Sequence, residues 1–238
     1  MPGRRVRARA VLTWIAGLGL LAAACNGQIE GGADEASAGP PAYGDTFIQA
    51  SIGDIGGLIP SLTSDQSSHE VGGMIYDGLV KLDKDLNMVP AMAESWTYST
   101  DCLDLTFRLR RDIKWHDGYP FNADDVVFTY QAMVNPKTPA PFKEGFLLVK
   151  SVDAPDPYTV HVHYDKPYAR AVETWGTYIL PKHLLQSFVD AGTMRESPQN
   201  SQPVGTGPYR FQEWKPGEKV VLVANPDYYE GRPYLSRV

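Results

Sequence analysis

The sequence predicts a fold of the α/β class (mixed α+β), and three segments carry this prediction. At residues 103–110, apolar residues alternate with polar ones, which is the pattern of a strand with one buried face. A second alternating segment covers residues 158–164. Between these two segments, a helical pattern opens at Asn122 and must end at Asn135 and Pro136. Strands and helices therefore intermix along the chain.

The start of the helix at Asn122 is specified by several local signals. Asn122 fits the N-cap position, where its side-chain oxygen can accept a hydrogen bond from an unpaired backbone amide. Asp125 lies three residues later, as in a capping box, and Phe121 and Val126 have the spacing of a hydrophobic staple. These residues predict a well-defined N-terminus for this helix.

The remaining elements are predicted from hydrophobic spacing and turn residues. They are a strand at 46–51, an irregular segment at 54–68, a helix built on Val71, Met74 and Ile75 that ends at Gly78, a hairpin of 79–82 and 86–89, a helix from Pro181 to about 190, a polar loop at 191–202 and a strand at 219–224.

The first 24 residues have the pattern of an export signal. Four arginines at the start precede an apolar run at residues 11–23, which is too short to span a bilayer comfortably. Three alanines stand before Cys25, which predicts a lipoprotein signal peptide at 1–24 and lipidation of Cys25. A plain signal peptidase site at Ala24 and an uncleaved anchor are the alternatives. Residues 25–44, rich in Gly, Ser and Pro, are predicted to be a flexible tether.

Removal of the signal peptide would make the protein more acidic. Residues 1–24 contain four arginines and no acidic residue, so their loss changes the formal charge from −6 to −10. A surface of this sign argues against nucleic-acid binding, which depends on positive charge. With Cys25 lipidated, Cys102 has no intrachain partner and is expected to be a buried small side chain.

The sequence contains no recognisable catalytic set. It has no Gly-x-Ser-x-Gly elbow, no phosphate-binding loop and no His-Glu-x-x-His motif. His161 and His163 share one strand face and could ligate a metal, but no nearby cysteine or carboxylate completes a ligand set, which favours a solvated strand face. The sequence therefore predicts a protein that is not an enzyme and has no cofactor and no metal site.

The strand, turn and helix at residues 105–128 closely resemble one family. The resembling runs are Leu-Thr-Phe-Arg-Leu-Arg-Arg-Asp-Ile-Lys-Trp-His-Asp-Gly at 105–118 and Pro-Phe-Asn-Ala-Asp-Asp-Val-Val-Phe at 120–128. Flanking matches lie at 75–80, 90–96, 179–183, 203–209 and 225–231. Together they resemble the extracytoplasmic solute-binding proteins of peptide and nickel ABC importers, family 5, over about residues 45–238.

This resemblance implies a periplasmic-binding-protein-like fold of type II. Residues 45–238 are then expected to be the N-terminal lobe, with a core sheet from about 45–75 and 204–238. A small inserted β-rich subdomain with helices is expected at about 76–203. Full-length family members have a second lobe that begins about where this sequence ends, so the second lobe is expected to be missing.

The resemblance also implies which residues face a solute. In the family, the first lobe contributes a loop before its first helix and a glycine-rich strand entry, where glycines let main chain approach main chain. The matching positions are Ser67, Ser68, His69 and Glu70, then Gly205, Thr206 and Gly207. Helix capping by Ser67 with Glu70 at N3, and a plain loop at 205–207, are equally open alternatives. Trp175 is a further candidate, with core packing as its alternative role.

The function implied is that of a truncated substrate-binding lipoprotein of an ABC importer, lipid-anchored at the periplasmic or cell-surface face of the membrane. Its expected partners are a peptide or another small solute, the permease subunits and the membrane, with a separately encoded second lobe as an open alternative. Nickel chelates, oligosaccharides and haem are alternative solutes. A non-transporting remnant or scaffold lipoprotein is the alternative function. One lobe alone is expected to bind solute weakly.

Overall fold

A computed structural model describes residues 41–238, and in this part of the chain ten strands accompany four α-helices. The helices are α1 (Gln66–Ile75), α2 (Ala123–Val134), α3 (Ala171–Thr174) and α4 (Lys182–Ala191). The predicted signal peptide at 1–24, the lipidation site Cys25 and most of the predicted tether at 25–44 lie outside the described residues.

The strands form two four-stranded sheets and one hairpin. They are β1 (Gly44–Thr46), β2 (Val80–Leu82), β3 (Met88–Pro90), β4 (Ala93–Tyr98), β5 (Asp104–Leu109), β6 (Val149–Asp156), β7 (Thr159–Tyr164), β8 (Tyr209–Lys215), β9 (Lys219–Ala224) and β10 (Leu235–Arg237). β2 and β3 form the predicted hairpin, closed by a hydrogen bond from the Asp83 amide to the Asn87 carbonyl.

The first sheet, in the order β1-β10-β9-β8, joins the two ends of the described chain. β1 pairs with β10 in parallel, whereas β10 with β9 and β9 with β8 are antiparallel. Most side chains of this sheet are only half-buried, and Leu222 is its one fully buried residue. This sheet therefore has little cover among the described residues.

The second sheet, in the order β4-β5-β7-β6, is antiparallel throughout and holds most of the core. The alternation predicted at 103–110 and 158–164 is confirmed, because every second side chain is buried. These buried side chains are Leu105, Phe107, Leu109, Val160, Val162 and Tyr164. The fold is thus the predicted mixture of strands and helices.

Helix α2 begins as predicted. The Asn122 side chain accepts hydrogen bonds from the first helical turn, and the Asp125 side chain accepts one from the Asn122 amide, which completes the capping box. Asp125 also accepts hydrogen bonds from the Lys182 amide at 3.1 Å and from the Trp115 indole at 3.3 Å. One buried carboxylate therefore connects α2 to the start of α4 and to the turn before α2.

Two predictions about strand and helix limits were wrong. The predicted strand at 46–51 is confined to Gly44–Thr46, because β10 ends opposite Thr46 and leaves the following residues without a strand to pair with in the described chain. Helix α1 covers Gln66–Ile75, so Ser67–Glu70 lie in its first turn rather than in a loop before Val71. The N-cap is Asp65 rather than Ser67, because the Asp65 carboxylate accepts a hydrogen bond from the Ser68 amide.

The prediction that Cys102 is buried was also wrong. Cys102 is exposed and has a φ of 58°. It lies in a tight turn between β4 and β5, where its amide donates to the Ser99 carbonyl. No helix within residues 41–238 has both the length and the apolar content that a membrane crossing requires.

Candidate functional site

The first turn of α1 presents three of the predicted solute-facing residues, Ser67, His69 and Glu70, all of them half-buried. The Ser67 hydroxyl lies 2.5 Å from the Ser51 hydroxyl. The Glu70 carboxylate accepts hydrogen bonds from the side-chain amides of Gln49 and Gln66. A polar wall of hydroxyl, amide and carboxylate groups therefore connects the helix to the segment after β1.

The other predicted residue of this turn, Ser68, is fully buried and structural. Its hydroxyl accepts a hydrogen bond from the Gly56 amide at 2.9 Å. Burial tends to raise the pKa of Asp65, but hydrogen bonds from Ser68 outweigh it and hold that pKa below its usual range. Asp65 is therefore a carboxylate at the helix N-terminus, where it already occupies the place that a solute carboxylate would take.

His69 is held by contacts on two sides. Its Nε2 lies 3.0 Å from the Thr63 carbonyl, and its own carbonyl accepts a hydrogen bond from the Tyr178 hydroxyl at 3.3 Å. The imidazole also stacks at 6.4 Å from the Tyr178 ring and lies 5.9 Å from the Phe142 ring. His69 is thus a fixed part of the surface beside α1.

A groove of about 670 Å³ runs along this wall. Its sides are the segment 46–55 and the residues 217–222 with 237–238, and α1 contributes Ser67, Glu70, Val71 and Met74. The groove is polar near Ser67 and Glu70 and apolar near Val71, Met74 and Val220. It offers both hydrogen-bonding groups and a hydrophobic surface to a bound molecule.

The glycine segment 205–207 does not line the groove and packs against the end of α1. The Gly207 amide donates to the Ile75 carbonyl at 2.8 Å, and a Cβ atom added at Gly205 would meet the same oxygen at 1.9 Å. The glycines do allow main chain to approach main chain, as predicted, but the main chain they approach belongs to α1. Thr206 between them is 1% exposed.

His116 holds this glycine segment through hydrogen bonds to Gly205 and Gly207. His116 was not among the residues predicted from the sequence. Its amide donates to the Gly205 carbonyl at 2.8 Å, and its Nε2 lies 3.0 Å from the Gly207 carbonyl. Its Nδ1 accepts from the Gly205 amide at 3.3 Å. Burial lowers the pKa of His116 to about 4, so the ring is neutral at pH 7 and donates through Nε2. The Trp-His-Asp-Gly motif at 115–118 was the feature of the sequence that could have identified His116.

Trp175 lies in the hydrophobic core and not on the groove. Its side chain is 0% exposed and packs against the rings of Phe107 and Phe146 at 5.9 and 5.5 Å. A solute cannot reach this indole in the present structure. Trp175 therefore packs in the core, which was the alternative role for this residue.

Asp77 forms a second polar cluster that the sequence did not predict. Asp77 belongs to the Tyr-Asp-Gly-Leu motif at 76–79, and the hydroxyls of Tyr228 and Tyr229 from the Asn-Pro-Asp-Tyr-Tyr motif at 225–229 lie close enough to influence its carboxyl group. Burial raises the pKa of Asp77 to about 6, although Tyr229, Tyr228 and Lys81 partly oppose that rise. Its Oδ2 is buried without a hydrogen-bonding partner in the described chain.

The two histidines considered as metal ligands each pair with an aspartate across the second sheet. His163 Nδ1 lies 2.7 Å from Asp104, and His161 Nδ1 lies 3.6 Å from Asp153. All four side chains are substantially exposed. Within residues 41–238, no three or more His, Cys, Asp or Glu side chains converge as a metal site.

Comparison with known proteins places these features in one family. The model of bacterial extracellular solute-binding proteins, family 5 (middle), matches residues 87–238. The oligopeptide-binding protein AppA of Bacillus subtilis (strain 168) is 32% identical over 99% of this chain and 44% of its own length. The haem-binding protein A of Haemophilus influenzae is 30% identical over 82% of this chain and 39% of its own length.

Solved structures give the same result. The structure of AppA from Bacillus subtilis in complex with a nonapeptide has a TM-score of 0.75 at 32% identity, and the match covers 84% of this chain and 40% of that one. NikZ from Campylobacter jejuni in complex with Ni(L-His) has a TM-score of 0.72 at 33% identity over 83% and 38%. The chain spans less than half the length of each of these relatives. By sequence and by fold, it belongs to the bacterial extracellular solute-binding proteins, family 5.

Proposed function

We propose that this chain is the solute-binding component of an ABC importer and contributes one wall of the cleft that captures a peptide or a similar small solute. The observation that carries the proposal is the alignment of 99% of the chain with an oligopeptide-binding protein at 32% identity. Nickel chelates and haem are the alternative solutes, since relatives that bind them are similar to this chain.

The polar end of the groove is the proposed solute-facing wall. Ser67 and Glu70 line the groove there, His69 lies in the same helical turn, and the Asp65 carboxylate caps that turn. Ser68, Gly205, Thr206 and Gly207 are buried, and the two glycines pack against the Ile75 carbonyl at the end of α1. Trp175 is buried in the core and is not part of this wall. Two carboxylates beside hydroxyl and amide groups favour the positively charged end of a solute, such as a peptide amino group, over an anionic end.

We further propose that Cys25 is lipidated and that the lobe works outside the cytoplasmic membrane, tethered by residues 25–44 and delivering solute to permease subunits. The basic and apolar segments before Cys25 support export. Acyl chains contribute about 0.8 kcal/mol for each buried methylene, which holds a doubly acylated protein at a membrane. Mass spectrometry of the N-terminal peptide from the native host tests this step.

Because the chain holds less than half the length of its relatives, we propose that it binds solute weakly by itself. A dissociation constant of about 1 μM corresponds to about −8.2 kcal/mol, and half of this energy corresponds to a constant of about 1 mM. Binding by the isolated chain is weaker still if the full entropic cost of association applies to it.

Titration calorimetry with a panel of di- and oligopeptides, Ni(L-His) and haem tests both statements. We expect millimolar binding of peptides that weakens severalfold in Glu70→Ala and Ser67→Ala. Glu144→Ala, an exposed carboxylate away from the groove, is the matched control and should bind as wild type. Micromolar binding by the chain alone would refute the proposal that it binds solute weakly by itself. Equal binding by Glu70→Ala and wild type would refute the proposal that this wall faces the solute.

A further inference from the structure

The outer face of the second sheet carries two histidines side by side on one strand. Val160, Val162 and Tyr164 of β7 are buried in the core. His161 and His163 alternate with them and therefore point to the opposite face, where their side chains are 47% and 42% exposed. Residues two apart in a strand have Cα atoms about 6.7 Å apart and parallel side chains. Two rings that can ligate a metal are thus neighbours on an open surface.

The side chains that flank both histidines on the neighbouring strands are small or acidic. Their positions follow from the register of the sheet, because directly opposite residues share one face. They are Asp104 and Thr106 of β5 and Ser151 and Asp153 of β6. None of these side chains is bulky enough to cover the two rings, and the two aspartates attract a cation to this face.

Asp104 holds His163 in the form that binds a metal. His163 Nδ1 lies 2.7 Å from Asp104 Oδ1, and an ionised carboxylate can only accept a hydrogen bond, so Nδ1 carries the proton. In the neutral ring, Nε2 then keeps its lone pair. A carboxylate bonded to the other ring nitrogen is the usual outer partner of a metal-bound histidine. His163 is therefore oriented as a ligand.

His161 has the freedom that the second ligand needs. Its Nδ1 lies 3.6 Å from Asp153, which is too far for a hydrogen bond, so this contact does not fix the ring. Two nitrogens bound to one zinc ion at about 2.0–2.1 Å lie about 3.3 Å apart in tetrahedral geometry. The two rings must therefore lean toward each other, and rotation of His161 toward His163 allows this.

We propose that His161 and His163 form a surface site for a divalent transition metal ion that prefers imidazole ligands, such as Zn²⁺, Ni²⁺ or Cu²⁺. Nε2 of each histidine is a ligand, and Asp104 orients one ring from the neighbouring strand. Within residues 41–238, no third protein ligand converges on the pair, so water completes the coordination.

The fold supplies what the sequence around the histidines lacks. The sequence alone favoured a solvated strand face and no metal site, because the residues near the histidines do not complete a ligand set. Asp104 lies 59 residues before His163 in the chain and reaches it only because β5 pairs with β7. The evidence for the site is thus a contact between distant segments.

This site is separate from the proposed solute wall. His161, His163 and Asp104 do not line the groove beside α1. Glu70→Ala should therefore leave metal binding unchanged, and the histidine variants should leave peptide binding unchanged. Failure of either proposal leaves the other measurable.

Titration calorimetry of the full chain with ZnCl₂, in a buffer that does not bind metal, tests the proposal. We expect a saturable site that weakens at least tenfold in His161→Gln and in His163→Gln. Asp104→Ala removes the orienting carboxylate but no ligand, and it should weaken binding by about tenfold or more. Asp85→Ala removes an exposed carboxylate from the hairpin of β2 and β3 and is the matched control, which should bind as wild type.

Two further measurements distinguish this site from other ways of binding zinc. MgCl₂ should not compete, because Mg²⁺ prefers oxygen ligands. Cu²⁺, which is paramagnetic, should broaden the ring signals of His161 and His163 in NMR spectra before those of the other histidines. Cys102→Ser should bind as wild type, although this exposed thiol lies in the turn before β5.

Zinc binding that is unchanged in either histidine variant overturns the proposal. Competition by Mg²⁺ as strong as that of Zn²⁺ also overturns it, because the ligands would then be carboxylates. Loss of zinc binding in Cys102→Ser overturns it as well, because the thiol would then be the ligand. Equal affinity of Asp104→Ala and wild type overturns the orienting role of Asp104.

Discussion

Asp77 and His116 are half-buried residues that make stability depend on pH in opposite directions. Burial raises the pKa of Asp77 to about 6 and lowers that of His116 to about 4. Asp77 binds protons more tightly in the folded state, so its contribution to stability falls as the pH rises from about 4 to about 6. His116 binds protons more weakly in the folded state, so its contribution rises between about pH 4 and 6.5. The two effects offset each other in the wild type.

Replacing Asp77 with asparagine should reveal the cost of the buried charge. At pH 7.5 we expect Asp77→Asn to be more stable than wild type by up to roughly 3 kcal/mol, because the carboxylate is ionised there and Oδ2 has no partner in the described chain. At pH 4 the difference should vanish. Urea unfolding at both pH values measures this, with the exposed Asp190→Asn as control. A variant that is less stable at pH 7.5 contradicts the expectation.

Replacing His116 with glutamine should reduce the loss of stability in acid. Glutamine can donate to Gly207 and accept from Gly205 without titrating, whereas the wild-type ring must be protonated as it unfolds below about pH 6. When the pH falls from 7 to 4.5, we expect the free energy of unfolding of the wild type to fall by roughly 2 kcal/mol more than that of His116→Gln. His161→Gln, on an exposed strand face, should follow the wild type. Parallel curves for all three proteins would show that His116 titrates normally.

At the scale of single elements, the start of α2 is the most completely specified part of the chain. Its capping box lies within four residues, so local sequence contained the whole signal. The limits of β1 could not be predicted in the same way, because they depend on β10, about 190 residues later in the chain. The candidate site could likewise be predicted only in part. The resemblance pointed to Ser67 and Glu70, which line the groove, but the burial of Thr206 and Trp175 depends on packing between distant segments.

Asp125 should be the most costly single carboxylate to remove from these elements. It is 3% exposed and accepts hydrogen bonds from the amides of Asn122 and Lys182 and from the Trp115 indole. Asp125→Ala leaves three donors unpaired, namely the buried Trp115 indole and the half-buried amides of Asn122 and Lys182, and we expect a loss of about 3 kcal/mol or more. The neighbouring Asp124→Ala removes an exposed side chain from the same turn and should cost less than about 1 kcal/mol. Equal losses in urea unfolding would contradict the anchoring role of Asp125.

At the scale of the whole molecule, the two sheets differ in how completely they are covered. The second sheet buries alternate side chains of β5 and β7 entirely, whereas the first sheet fully buries only Leu222. Local stability follows buried apolar contact, so the first sheet should open more readily than the second.

A matched pair of phenylalanines measures this asymmetry. Phe107 in β5 is 0% exposed, and Phe211 in β8 is only half-buried. We expect Phe107→Ala to lower the free energy of unfolding by about 3–5 kcal/mol and Phe211→Ala by roughly half as much, because less apolar surface returns to water and less cavity remains. In the wild type, amides of β5 and β7 should exchange with solvent more slowly than those of β8 and β9. Equal losses for the two variants, together with equal protection of the two sheets, would mean that the first sheet is as well covered as the second.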